Sequence, residues 1–168
     1  MTLSRRRLLL LRHAKAVTAF ADMSDATDHA RGLSGRGKHD AAAMGQLIRE
    51  RGLTPECVLI STALRTRETF DLLGPFEGNG PRQVLSPGLY LGEAASLLEV
   101  VREQGGSSES VMLIGHNPGI HELALQLAPD GAEVKWSFPT CTLALFDVEG
   151  EWTDLGPGRA VLREVLQP

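Results

Sequence analysis

Arginine and histidine side chains follow short apolar segments at three places in the chain. The segments are residues 8–11, 57–60 and 111–114, and the polar side chains that follow them are Arg12 and His13, Ser61 and then Arg65, and His116 and Asn117. No carboxylate stands at these three segment ends. Two guanidinium groups and two imidazoles suit a tetrahedral dianion, because arginine pairs with phosphate oxygens in bidentate fashion. If the segments end side by side, the pattern predicts a phosphate site.

Each apolar segment has the length of a strand buried on both faces of a parallel sheet, and such sheets bind ligands at the carboxyl ends of their strands. Apolar residues at helical spacing predict helices over residues 34–51, 63–73 and 93–104 and another after Gly119, whose N-terminus would favour an anion. Residues 142–148 and 159–165 are further predicted strands, whereas residues 17–33 and 74–87 are predicted connections. The alternation predicts an α/β fold: a three-layer α/β/α sandwich with a mostly parallel central sheet.

Composition narrows the class of protein. The length of 168 residues and a hydrophobic fraction of 42% predict a single domain over residues 1–168. A net charge of −4 gives no general attraction to nucleic acid or to anionic membranes. Three arginines before four leucines imitate a signal peptide, but the apolar run is too short and lacks a cleavage site, so we expect a cytoplasmic protein.

Several other kinds of site are disfavoured by spacing. Cys57 and Cys141 form no zinc motif, and neither begins the C-x5-R loop of a cysteine phosphatase, so we expect reduced, buried thiols. The aspartates and His29 between residues 22 and 31 match no calcium or zinc motif and predict a solvated loop. His29, His39 and His121 follow no motif and are interpreted as surface or packing residues. We therefore expect no metal and no organic cofactor.

The motifs resemble those of a known family. Residues 11–15 (LRHAK), 61–69 (STALRTRET) and 114–119 (IGHNPG) are similar to the three signatures of the histidine phosphatase, or phosphoglycerate-mutase-like, superfamily. Within it the chain most resembles the small SixA-type phosphohistidine phosphatases, and residues 28–33 and 89–90 extend the similarity over nearly the whole chain.

The resemblance implies a role for each residue that matches a motif. His13 would be the nucleophile, forming a phosphohistidine enzyme. Arg12 and Arg65 would bind the non-bridging phosphoryl oxygens and stabilise the transition state. His116 would contact the same phosphoryl group as a cation, and Asn117 would be a further substrate-binding residue.

Larger superfamily members carry a carboxylic acid that protonates the leaving group. Glu93 is the nearest candidate general acid here and Asp22 is another, although Glu93 equally fits a favourable charge in the first turn of a helix. An imidazole leaving from a P–N bond does not need that acid, whereas an alkoxide does. A weak or absent acid therefore favours phosphohistidine as the substrate.

The short chain leaves no room for a large cap, which predicts an open pocket that admits a histidine on another protein. Lys15 and Arg31 would lie near the rim and meet a phosphorylated partner, or be ordinary solvated charges. The favoured function is removal of phosphate from phosphohistidine on a protein. The alternatives are a phosphatase for small phosphorylated molecules and a catalytically idle phosphate-binding module.

Overall fold

The computed structural model describes residues 5–130, 132–135 and 137–168. Its centre is a six-stranded sheet in the order β3-β2-β4-β1-β5-β6. The strands are β1 Arg5–Arg12, β2 Cys57–Ser61, β3 Arg82–Ser86, β4 Ser110–Gly115, β5 Leu143–Glu149 and β6 Ala160–Leu166. The helices are α1 Asp25–His29, α2 Gly35–Glu50, α3 Leu64–Leu73, α4 Ala94–Gln104 and α5 Gly119–Leu127.

Strand β1 is apolar on both faces because the sheet is covered on both sides. Leu8 and Leu10 pack into one hydrophobic cluster and Leu9 and Leu11 into another, and all four are fully buried. Helices α4 and α5 contribute to the first cluster and α2 and α3 to the second. Alternate side chains of a strand point to opposite faces, so the four leucines join two layers of helices to one sheet.

The predicted three-layer α/β/α architecture is confirmed. Strands β3, β2, β4 and β1 run parallel, so their carboxyl ends lie at one edge of the sheet. Strand β5 pairs antiparallel with β1, and β6 antiparallel with β5. Among the described residues, none of the helices has the length and apolar character needed to cross a membrane.

Two predicted connections contain secondary structure. Residues 17–33 include the short helix α1, capped where the Ser24 side chain accepts a hydrogen bond from the Thr27 N–H at 3.2 Å. Residues 74–87 include β3, which pairs with β2 at an edge of the sheet. The helix has five residues and buries none of them, and the strand is largely exposed. Neither therefore carries the hydrophobic periodicity by which elements are found in a sequence.

Candidate active site

The backbone holds His13 just beyond the end of β1. Its N–H donates to the Gly115 carbonyl at 3.1 Å, and its own carbonyl accepts from the Cys141 N–H at 3.0 Å. The imidazole Nδ1 lies 2.7 Å from the Ala14 carbonyl oxygen. Because a carbonyl only accepts, Nδ1 must carry the ring proton, and Nε2 keeps its lone pair. The ring is thus presented as the tautomer in which Nε2 is the nucleophilic atom.

The surroundings of His13 keep its imidazole neutral. The residue is 7% exposed. Burial, followed by the positive charges of Arg65, Arg12 and Arg31, lowers the pKa of His13 to about 4, against an opposing effect of the hydrogen bond to Ala14. A neutral imidazole is the nucleophilic form, so His13 is ready to attack throughout the neutral pH range.

His116, at the end of β4, presents a donor to the same place. The centroids of the His13 and His116 rings are 5.1 Å apart. Nε2 of His116 lies 2.7 Å from Ser61 Oγ, which accepts from the Ala63 N–H at 3.4 Å. In the tautomer in which the serine hydroxyl donates to Nε2, the ring proton sits on Nδ1. That Nδ1 is buried and has no hydrogen-bond partner among the described residues.

The charge of His116 differs from the expected one. Burial, followed by the neighbouring His13 and Arg65, lowers the pKa of His116 to about 2. The ring is therefore neutral at pH 7 in the substrate-free pocket, not an imidazolium. The physical reason is that it shares a desolvated site with two guanidinium groups, which the sequence pattern does not quantify.

Two arginines provide the remaining donors. Arg65, in the first turn of α3, is 2% exposed, and Arg12, at the end of β1, is half-buried. Burial and the charge of Arg65 lower the pKa of Arg12 from its ordinary value. The Nε atoms of both are buried without a hydrogen-bond partner in the part of the chain that the structure describes. Buried donors are normally satisfied, so these two, like Nδ1 of His116, fit an anionic ligand.

The Phe138 carbonyl fixes the orientation of Arg12 and Asn117. It accepts from Arg12 Nη1 at 3.1 Å and from Asn117 Nδ2 at 2.9 Å. Asn117 is thereby brought beside Arg12, and its role in substrate binding stays a prediction.

The site also contains a carboxylate, which does not come from the end of a strand. Asp28, on α1, accepts from Tyr90 Oη at 2.6 Å, from Arg65 Nη2 at 3.2 Å and from Arg31 Nη2 at 3.0 Å. Burial raises its pKa, but these three partners together lower it to about 2. The carboxylate that compensates the positive charge therefore comes from α1, within the predicted connection 17–33, and not from a strand end. The similarity of residues 28–33 to the family was the available signal.

Tyr90, in the segment 89–90 that resembles the family, packs against the site and contacts α1. Its ring packs edge-on against His116 at 5.6 Å and against His29 at 4.8 Å. Burial and the hydrogen bond to Asp28 raise the pKa of Tyr90 to about 12. His29 packs behind the site, with Nε2 2.9 Å from Thr62 Oγ1. Tyr90 thus links α1 to the wall of the pocket.

Two contacts hold the loop that carries His13. Thr69 Oγ1 accepts from the Ala14 N–H at 3.1 Å and donates to the Arg65 carbonyl at 2.7 Å, which ties the loop to α3. The Lys15 carbonyl accepts from the Ser34 N–H at 2.9 Å. A Cβ atom on Gly37 would lie 2.0 Å from that carbonyl oxygen, so only glycine allows α2 to approach this closely.

These side chains surround a cavity of about 500 Å³. Its lining includes the four predicted catalytic residues and the other predicted substrate-binding residues: Arg12, His13, Arg65, His116, Lys15, Arg31 and Asn117. The described carboxylates that line it are Asp25 and Asp28, and neither Glu93 nor Asp22 is among them. Glu93 is the exposed residue preceding α4 and makes no side-chain capping bond. Its role as a general acid stays a prediction.

Comparison with known proteins identifies the family of the chain. No family model matches the chain. An uncharacterised protein of Mycobacterium tuberculosis is 31% identical over 159 residues, covering 90% of this chain and 96% of that protein. A structure from Agrobacterium tumefaciens, assigned as a phosphohistidine phosphatase SixA, is 30% identical with a TM-score of 0.81, covering 97% of this chain and 98% of that one.

A second structure so assigned, from Nakamurella multipartitia, is 29% identical with a TM-score of 0.84, covering 98% of this chain and 96% of that one. The likeness extends over nearly the whole chain. The chain therefore belongs to the histidine phosphatase superfamily, and we assign it as a phosphatase of that superfamily.

Proposed function

We propose that this phosphatase removes phosphoryl groups from phosphohistidine on a protein, with His13 as nucleophile, and that residues 1–168 act as one domain. The observation that carries the proposal is the neutral Nε2 of His13 in a cavity whose buried donors have no partners among the described residues. Those donors are Arg12 Nε, Arg65 Nε and His116 Nδ1. A nucleophile and three hydrogen-bond donors in a desolvated cavity match the transition state of phosphoryl transfer.

The first chemical step transfers the phosphoryl group to the enzyme. The His13 Nε2 lone pair forms a bond to phosphorus as the P–N bond to the substrate imidazole breaks. When the other nitrogen of that imidazole is protonated, the ring leaves as neutral imidazole and takes up no further proton. Arg12, Arg65 and the Nδ1–H of His116 hold the three phosphoryl oxygens, on which the transition state spreads its charge.

Hydrolysis then restores the enzyme. A water oxygen attacks phosphorus, and the His13 Nε2–P bond breaks with its electron pair returning to Nε2. Dihydrogen phosphate leaves with both hydrogens of the water, so His13 regains the Nδ1–H form without an external base. The Ala14 carbonyl, 2.7 Å from Nδ1, holds the ring proton throughout.

The electrostatics of Asp28 and Tyr90 favour a leaving group of this kind. Asp28 has a pKa of about 2, so at pH 7 it is ionised and has no proton to give to an alkoxide, and the Tyr90 hydroxyl already donates to Asp28 at 2.6 Å. An imidazole leaving group needs no such proton. Lys15 and Arg31 line the same cavity and would meet the phosphorylated partner. A small phosphoester would depend on the untested acid Glu93.

The test compares rates on two substrates for three proteins. The substrates are a histidine-phosphorylated protein domain and an aryl phosphoester, and the proteins are wild type, His13→Ala and His39→Ala. His39 is an exposed residue of α2, so its substitution controls for loss of an imidazole elsewhere. We expect wild type and His39→Ala to act much faster on the phosphohistidine and His13→Ala to release no phosphate above background.

The other outcomes separate the alternatives. A wild-type preference for the aryl ester would replace the proposal with a phosphatase for small phosphorylated molecules, and Glu93→Gln would then be expected to lower kcat. Binding of inorganic phosphate without turnover of either substrate would indicate a phosphate-binding module. An undiminished rate in His13→Ala would refute the nucleophile.

A further inference from the structure

Two large apolar side chains stand exposed at the cavity that contains His13. Phe20 is 72% exposed and Leu91 is 53% exposed, and both line that cavity. We call this pair the apolar rim. Scattered exposed apolar residues are common, but two at the mouth of a cationic pocket are a feature that needs a contact partner.

The backbone of Leu91 lies in an unfavourable conformation. Its φ is 50°, in the left-handed region that favours glycine. The turn is fixed on both sides, because the Tyr90 hydroxyl donates to Asp28 at 2.6 Å and a Cβ atom on Gly119 would lie 2.0 Å from the Gly92 carbonyl oxygen. The surrounding contacts thus hold a leucine where glycine would fit with less strain, and such strain is concentrated at functional sites.

The segment that carries Phe20 is also tied to the site. Arg31 Nη1 donates to the Val17 carbonyl at 2.9 Å, and the Met23 N–H donates to the Phe20 carbonyl at 3.2 Å. Arg31 also pairs with Asp28. The loop that carries Phe20 and the turn that carries Leu91 are therefore both tied to the Asp28 cluster.

We infer that the apolar rim is the docking surface for the substrate protein, contacting apolar side chains that surround its phosphorylated histidine. The inference rests on the proposed function and names the surface by which that substrate is chosen. Charge complementarity places the phosphorylated histidine of the substrate protein in the cavity, because Arg12 and Arg65 bind the phosphoryl dianion. The exposed Phe20 and Leu91, which lie around this cationic site, contribute binding free energy only when a partner covers them with apolar surface. A small phosphorylated molecule, polar around its phosphate, gains nothing from them.

The test measures kcat/KM for a histidine-phosphorylated protein domain and for phosphoramidate, in wild type, Phe20→Ala and Leu91→Gly. Leu85→Ala is the matched control, because Leu85 is a 57% exposed leucine on β3 that does not line the cavity. We expect the ratio of the protein rate to the phosphoramidate rate to fall at least tenfold in both rim variants. Leu85→Ala should retain the wild-type ratio.

Leu91→Gly also separates docking from folding. Glycine adopts a φ of 50° without strain, so the urea midpoint of this variant should be at or above that of wild type while its ratio falls. A wild-type ratio retained in both rim variants would overturn this inference alone. A wild-type enzyme that turns over phosphoramidate but not the protein domain would overturn the proposed function and the docking surface together.

Discussion

Replacement of Asp28 by asparagine tests whether one carboxylate organises the phosphate pocket. The substitution keeps the shape of the side chain and removes its charge. Asp28 accepts hydrogen bonds from Tyr90, Arg65 and Arg31, and its side chain is 23% exposed. An amide retains one accepting oxygen, but its NH2 group faces donors that need an acceptor.

The size of the effect follows from those contacts. A hydrogen bond to a charged group contributes roughly 1.5–3 kcal/mol, reduced where solvent screens it. We expect Asp28→Asn to lower the free energy of unfolding by about 2 kcal/mol at pH 7, which is a decrease in Tm of roughly 6 °C for a chain of this length. Looser positioning of Arg65 should also lower kcat about tenfold, equivalent to about 1.4 kcal/mol.

The pH dependence of stability provides a second measurement. The folded pKa of Asp28 is about 2, below its ordinary value near 4. The stabilisation is therefore present above about pH 4 and is lost as the pH falls toward 2. Urea denaturation of wild type and Asp28→Asn should give a difference that is constant from pH 7 to 5 and shrinks at pH 3.

Asp25→Asn is the matched control for this experiment. Asp25 is an exposed carboxylate on the same short helix and lines the same cavity, but none of the ion pairs found among the described residues involves it. Both variants change the net charge equally. If Asp28→Asn and Asp25→Asn have the same Tm, kcat and pH dependence, the carboxylate does not organise the pocket and the reasoning is wrong.

Two further predictions concern the loop that carries His13. Gly37→Ala places a Cβ atom 2.0 Å from a backbone carbonyl oxygen and should lower the free energy of unfolding by roughly 3 kcal/mol. Gly35→Ala is the control, because there is open space around Gly35, and its urea midpoint should be equal to or slightly above that of wild type. His13, with a pKa of about 4, should react with an uncharged acylating reagent at half its maximal rate near pH 4, when modification is followed by mass spectrometry. The exposed His39 is the comparison in the same experiment, and coincident reactivity profiles of the two histidines would show that the pocket does not shield His13.

The sequence by itself determined five of the six strands of the sheet and the identity of the central side chains. Four consecutive leucines in β1 require apolar surroundings on both faces, so strands of this kind predict covered parallel sheets. Residues that follow such strands are brought to one edge by the parallel arrangement alone. The sequence alone therefore predicts that Arg12, His13 and His116 lie together, and the motifs around them indicate the family.

Only the tertiary structure decided how charge and protons are distributed in the site. Asp28 is 37 residues from Arg65 and 62 from Tyr90 along the chain, and no local periodicity reports a contact over such separations. The neutrality of His13 and His116 depends on burial beside two guanidinium groups, which is a property of the assembled pocket. Local patterns set which residues form strands and helices, whereas desolvation and Coulomb interactions depend on distances that exist only after those elements pack.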